Sequence, residues 1–206
     1  MPTFALIPAL TFAVVGTFSP GPNNVLSASL GMRYGYRRIL GFLMGMTLGF
    51  VITMSACAFA SAALLDALPW VEGWLRWIGA AYIAWLAYHS WHTRRQLGAE
   101  SHDGTDQSFT FWSGTLLQFI NPKVLIYGVM MYTTFLSPLA SSPLWLTVSA
   151  VVLALIGLAA VSTWALGGVA ISGWLTTDRD RAIVAGVLAA TLAYTAVEMV
   201  LPALGL

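Results

Sequence analysis

Two short polar stretches carry the residue types and spacing that can bind a small charged molecule. Ser19-Pro20-Gly21-Pro22-Asn23-Asn24 interrupts one apolar run, and Asn121-Pro122-Lys123 interrupts another about 100 residues later. Proline lacks an amide donor, clashes with the preceding turn and biases the residue before it away from helix. Two prolines flanking a glycine therefore break a helix outright. The amides freed at the start of the next half-helix carry the positive end of its dipole and suit a carboxylate. Lys123 adds a full positive charge, and the amides of Asn23, Asn24 and Asn121 both donate and accept. Such a set suits a zwitterion, with Pro20, Gly21, Pro22, Asn23, Asn24, Asn121, Pro122 and Lys123 as its candidate binding residues.

Other reactive side chains are sparse. Glu198 is a carboxylate inside an apolar run and is a candidate carrier of a coupling proton, although it lies near the end of that run. His89 and His92 share a helix face, but no carboxylate or thiolate stands at ligand spacing beside them, so no metal site is expected. Cys57 is the single cysteine, which excludes a disulfide framework and a thiolate metal cluster and leaves it a packing role. No cofactor motif is found.

The elements that must position these residues follow from composition. Of 206 residues, 58% are apolar and only 8% are charged, with a mean hydropathy of +0.79. So few charges cannot cover the outside of a soluble globule, and a net charge of +1 gives no basis for nucleic-acid binding. The lipid bilayer is the expected solvent. Six apolar spans emerge, near 3–24, 40–65, 70–92, 109–136, 144–170 and 181–204. The uncharged stretch 124–177 is divided by Ser137-Pro138 and Ser141-Ser142-Pro143. These runs are long and continuous, which excludes a β-barrel and predicts an all-α membrane protein. The first run lacks a basic leader and outlasts a signal peptide's apolar core, so it is expected to be a retained helix.

Arginines set the orientation. Arg33, Arg37 and Arg38, Arg94 and Arg95, and Arg179 and Arg181 fall in alternate loops on one side, against Arg76 alone on the other. The cationic side is expected to be cytoplasmic, leaving both termini outside. Trp70, Trp74, Trp77, Trp91, Trp112 and Trp174 fall near predicted boundaries and suit interfacial anchoring. Gly41, Gly45 and Gly49 form a ladder of small residues that packs either inside the protomer or between protomers of a homo-oligomer.

The six spans divide into halves near 1–92 and 109–206, joined by a polar linker, 93–108, within one membrane domain. Halves with three spans each must lie in opposite orientation, giving a 3+3 inverted repeat with helices 1 and 4 broken at corresponding places. Paired breaks of this kind point to a transporter's binding site. The 31 uncharged residues 2–32 would make about 46 Å of continuous helix against roughly 30 Å of hydrocarbon, an excess that a break absorbs.

Three segments carry a resemblance: Thr17 to Asn24, Trp77-Ile78-Gly79-Ala80-Ala81-Tyr82-Ile83-Ala84-Trp85-Leu86, and Gln118-Phe119-Ile120-Asn121-Pro122-Lys123. They resemble the lysine exporter family over the whole chain, specifically its homoserine/threonine efflux (RhtB) branch, and within it the cysteine/O-acetylserine exporters. The resemblance implies a bacterial inner-membrane, multi-pass secondary exporter of small neutral amino acids or their derivatives, driven by an ion gradient expected to be of protons. It implies no enzymatic activity, and it carries the family's motifs onto Pro20, Gly21, Pro22 and Asn23 and onto Asn121, Pro122 and Lys123. The alternative is an ion or metal-ion permease or channel, which would need a carboxylate ring or a His/Cys cluster along a pore.

Overall fold

The computed structural model describes residues 6–60 and 109–174, with single helical or turn positions between 81 and 88 and between 177 and 197. Apart from those single positions, the predicted spans 70–92 and 181–204, with Trp70, Trp74, Trp77, His89, Trp91, His92 and Glu198, lie outside the described residues. The described part is helical throughout. Helix α1 is Leu6–Phe18, α2 is Pro22–Tyr34, and α3 is Tyr36–Ala60. Helix α4 is Phe111–Ile120 and α5 is Pro122–Met130; a π-helical turn, Met131–Phe135, and a 3-10 turn, Ser137–Leu139, lead into α6, Pro143–Trp174.

Helices α3 and α6 are long and apolar enough to cross a bilayer, with 25 and 32 residues. Their outward faces are apolar too. Leu40, Met44, Leu48 and Ile52 make an exposed stripe along α3, and Leu144, Trp145, Val148, Val151, Val152 and Leu155 do the same on α6. A spacing of four residues keeps such side chains on one helix face, and a contiguous apolar surface of this extent is stable only against lipid or another protein.

One boundary departs from expectation. The sequence places the first span at 3–24, with Arg33, Arg37 and Arg38 in the following loop, whereas α2 continues to Tyr34 and α3 starts at Tyr36. The loop is Gly35 alone, whose φ of 77° needs a residue without a Cβ, so the three arginines sit on helix ends. The polar residues Asn23, Asn24 and Ser27 lower local hydropathy without breaking the helix, because Asn23 bonds Gln118, Asn24 donates to two carbonyls of α1 and Ser27 donates to Asn23 O.

Contacts fix the running directions. Phe12 stacks on Phe135 and Tyr127, Asn23 bonds Gln118, and Tyr34 meets Phe109, so α1–α2 runs opposite to α4–α5. Phe42 meets Phe109 and Phe50 meets Tyr127, so α3 runs alongside α4–α5 in the same direction. Helix α6 runs with α1–α2: its Ala150 and Leu153 pack with Ala9 and Ala13, and its Val161 and Ala165 pack with Val25 and Leu30.

Small residues allow the closest approaches. A Cβ on Gly31 would run into the Ala165 carbonyl, and one on Gly168 into that of Ala28, so α2 and α6 touch backbone to backbone. The predicted glycine ladder divides. Gly45 and Gly49 lie against the carbonyls of Phe111 and Thr115 on α4, whereas Gly41 faces open space. Two apolar clusters result, one around Met54, Met131 and Ala150, the other around Leu26, Phe42 and Leu43. The breaks before Pro22 and Pro122 lie between them.

Candidate functional site

Helix α1 ends in the interior of the bundle, where unpaired carbonyls are costly. Every carbonyl from Gly16 to Pro20 has a donor. Ser19 Oγ donates to Gly16 O, and Asn24 Nδ2 donates to Thr17 O at 2.7 Å and to Ser19 O at 2.9 Å. Trp164 Nε1 donates to Phe18 O at 3.1 Å from the facing helix. Lys123 Nζ donates to Ser19 Oγ at 2.8 Å, Ser19 O at 3.2 Å and Pro20 O at 3.3 Å. The ammonium is also well placed electrostatically, at the negative end of the α1 dipole. Lys123 therefore reaches across to the break between α1 and α2.

Two helices begin beside this end. Pro22 and Pro122 each occupy the first turn, where the missing N–H is no loss and the fixed φ is already helical. Their caps differ. The α5 start is closed by Asn121, whose Oδ1 accepts from Lys123 N at 3.1 Å and whose backbone O accepts from Val124 N. The α2 start is capped by Gly21, which has no side chain to turn onto the first amides. Gly21 is not required by its backbone angles, which are extended. The missing side chain leaves room for Lys123, since a Cβ there would lie 2.8 Å from Lys123 Nζ and the ammonium would have to shift.

A chain of amides ties the two breaks together. Asn121 Nδ2 donates to Asn23 Oδ1 at 2.9 Å, and Asn23 Nδ2 donates to Gln118 Oε1 at 3.0 Å. Against this polar wall lies a cavity of about 60 Å³. One water needs roughly 10–15 Å³ on that measure, so the space holds on the order of five small groups. Its polar end is formed by Gly21, Asn23, Gln118, Asn121 and Lys123, and its apolar end by Phe50, Val124, Tyr127, Ala154, Gly157 and Leu158.

Most of the sequence-predicted residues meet here. Gly21, Pro22, Asn23, Asn24, Asn121 and Lys123 line the cavity. Pro20 is exposed and contributes only its carbonyl to Lys123. Pro122 is buried as the first residue of α5 and does not line the space. Gln118, Thr47, Tyr127 and Trp164 escaped the sequence reading. Gln118 and Tyr127 lie three residues before Asn121 and four after Lys123, a helical spacing that would have placed them on the same face. Trp164 sits in an uninterrupted apolar run and gives no sequence signal. Among the described residues, no group of three or more His, Cys, Asp or Glu side chains is placed to hold a metal ion.

Comparison with known proteins decides the family. The model of the LysE type translocator family matches residues 14–202. The chain belongs to that family. It is a membrane transporter and not an enzyme. It is 38% identical over 159 residues to the cysteine/O-acetylserine efflux protein of Klebsiella pneumoniae subsp. pneumoniae, covering 77% of this chain and 79% of that one. It is 36% identical, with the same coverage, to the protein of that name from Escherichia coli strain K12. No solved structure matches it.

Proposed function

We propose that this translocator is a secondary active exporter of small neutral amino acids or their derivatives, of the cysteine/O-acetylserine or homoserine/threonine type. It would move them from the cytoplasm across the bacterial inner membrane. The observation that carries this reading is the meeting of two proline-started helices at one small cavity with a polar and an apolar end. The names of the relatives supply the substrate class. The opposed directions of α1–α2 and α4–α5, and of α3 and α6, support the inverted 3+3 repeat, with each pair of half-helices forming one broken span.

The same geometry suggests how a zwitterion is held. An ammonium has three donors, and Lys123 directs them at Ser19 and Pro20. A substrate ammonium satisfies the same carbonyls. Lys123 is then released toward the substrate carboxylate, which also faces the side-chain-free start of α2. One cation replaces another at the α1 end, so no charge is left unpaired. The cavity's size and apolar end suit a short uncharged side chain. Both termini are assigned to the periplasm, and Glu198 is the proposed carrier of the coupling proton.

Inverted vesicles carrying the protein, supplied with a proton gradient and a panel of labelled amino acids, test the proposal. Gradient-dependent accumulation of O-acetylserine, cysteine, homoserine or threonine, lost on Lys123→Met, is expected. Accumulation of an inorganic cation with no response to any amino acid would overturn it in favour of an ion permease.

A further inference from the structure

Tyr127 holds a polar group that the fold leaves unused. Its side chain is 6% exposed and its hydroxyl is buried, yet among the described residues that oxygen has no hydrogen-bond partner. A buried hydroxyl without a partner is disfavoured, and a phenylalanine would avoid that loss at the same volume. The ring itself is well packed. Phe12 stacks parallel to it at 5.4 Å, Phe50 lies against it at 6.0 Å, and its edge rests on Gly16, where a Cβ would come within 2.9 Å. Packing thus explains an aromatic ring at this position but not its oxygen.

Position supplies the missing reason. Tyr127 lies one turn beyond Lys123 on α5, on the same face, and both line the cavity. The rise between them is about 6 Å, the length scale of a short amino-acid side chain. A substrate with its charged groups at Lys123 and the α2 start would extend its side chain toward Tyr127, past apolar Val124 and Phe50.

Resting on the exporter reading above, we propose that the Tyr127 hydroxyl is the side-chain selectivity group of this transporter. It donates a hydrogen bond to an oxygen acceptor, a hydroxyl or an ester carbonyl, on the substrate's side chain. A site with a buried polar group rejects an analogue lacking the matching atom, because the group is then left unpaired.

Homoserine and norvaline provide the test, since they have nearly the same shape and differ in whether the side chain ends in a hydroxyl or a methyl. Transport of each into inverted vesicles is measured for the wild type and for Tyr127→Phe, which removes one unpartnered oxygen. The wild type should favour homoserine in kcat/KM by roughly ten-fold, the scale of one buried hydrogen bond. Tyr127→Phe should bring the two within about two-fold by lowering homoserine transport while norvaline transport is kept. An undiminished homoserine preference in the variant, or equal loss of both substrates, would overturn the assignment. Transport of neither homoserine nor norvaline, nor any other amino acid, by the wild type would instead overturn the exporter reading and this inference with it.

Discussion

Lys123 uses all three of its donors on the end of α1, so its proposed role in binding and its role in the fold compete for one ammonium. Lys123→Met should abolish amino-acid transport while the protein still inserts, with a stability loss of about 1–2 kcal/mol from the carbonyls left without a charged donor. Transport assays alongside thermal unfolding in detergent separate the two effects. Gly21→Ala asks the same question from the other side. The added methyl would sit where the ammonium lies, so the lysine must move off Ser19 and Pro20. The flexible end of a lysine yields easily, and the fold should survive while transport falls. Wild-type transport in Gly21→Ala would show that the ammonium's present position is immaterial.

At the scale of elements, the two breaks differ in how they are held. Pro22 stands where a helix tolerates proline, so Pro22→Ala alone should change stability little. Asn24 is different, because its amide serves two carbonyls of α1 at once. Asn24→Ala should lower stability by about 1–3 kcal/mol, read as a lower unfolding midpoint. Removing both Pro20 and Pro22 permits α1 and α2 to join, which would withdraw the donors and acceptors that face the cavity, and export should be lost. The glycine ladder gives a second contrast. Gly45→Ala drives a methyl into the Phe111 carbonyl and should be clearly destabilising, whereas Gly41→Ala meets nothing and should be neutral or stabilising by about 0.5–1 kcal/mol from helix propensity. Where the breaks fall was legible in the sequence, because proline and glycine act locally. Which helix would supply the remaining donors was not. Trp164 reaches Phe18 across 146 positions, and Gln118 meets Asn23 across 95, pairings that depend on how whole helices pack. The interfacial reading of the tryptophans fits Trp112 and Trp174, which are exposed, and does not extend to Trp164, which turns inward.

At the scale of the molecule, the described residues form two apolar clusters that enclose one polar layer, with lipid-suited surfaces outside. The composition predicted the surface and the all-helical class, since 8% charge leaves no other solvent. Its first span, 3–24, stops ten residues short of the end of α2 at Tyr34. The proposed orientation, with both termini periplasmic, is checked by terminal reporters that are active only outside the cytoplasm; activity confined to the cytoplasm would reverse it. The central claim is that a transported amino acid sits in the cavity between the breaks. Thr47 lines that cavity and, among the described residues, bonds to its own helix at Leu43 O, and the single native cysteine, Cys57, is fully buried. Thr47→Cys therefore places one reactive thiol at the site. Its rate of modification by a small thiol reagent, measured with and without a saturating amount of the exported amino acid, tests the claim most directly. The amino acid should slow modification in proportion to its occupancy, with the concentration dependence of transport. An amino acid that is exported by the same protein yet leaves the modification rate unchanged would contradict it.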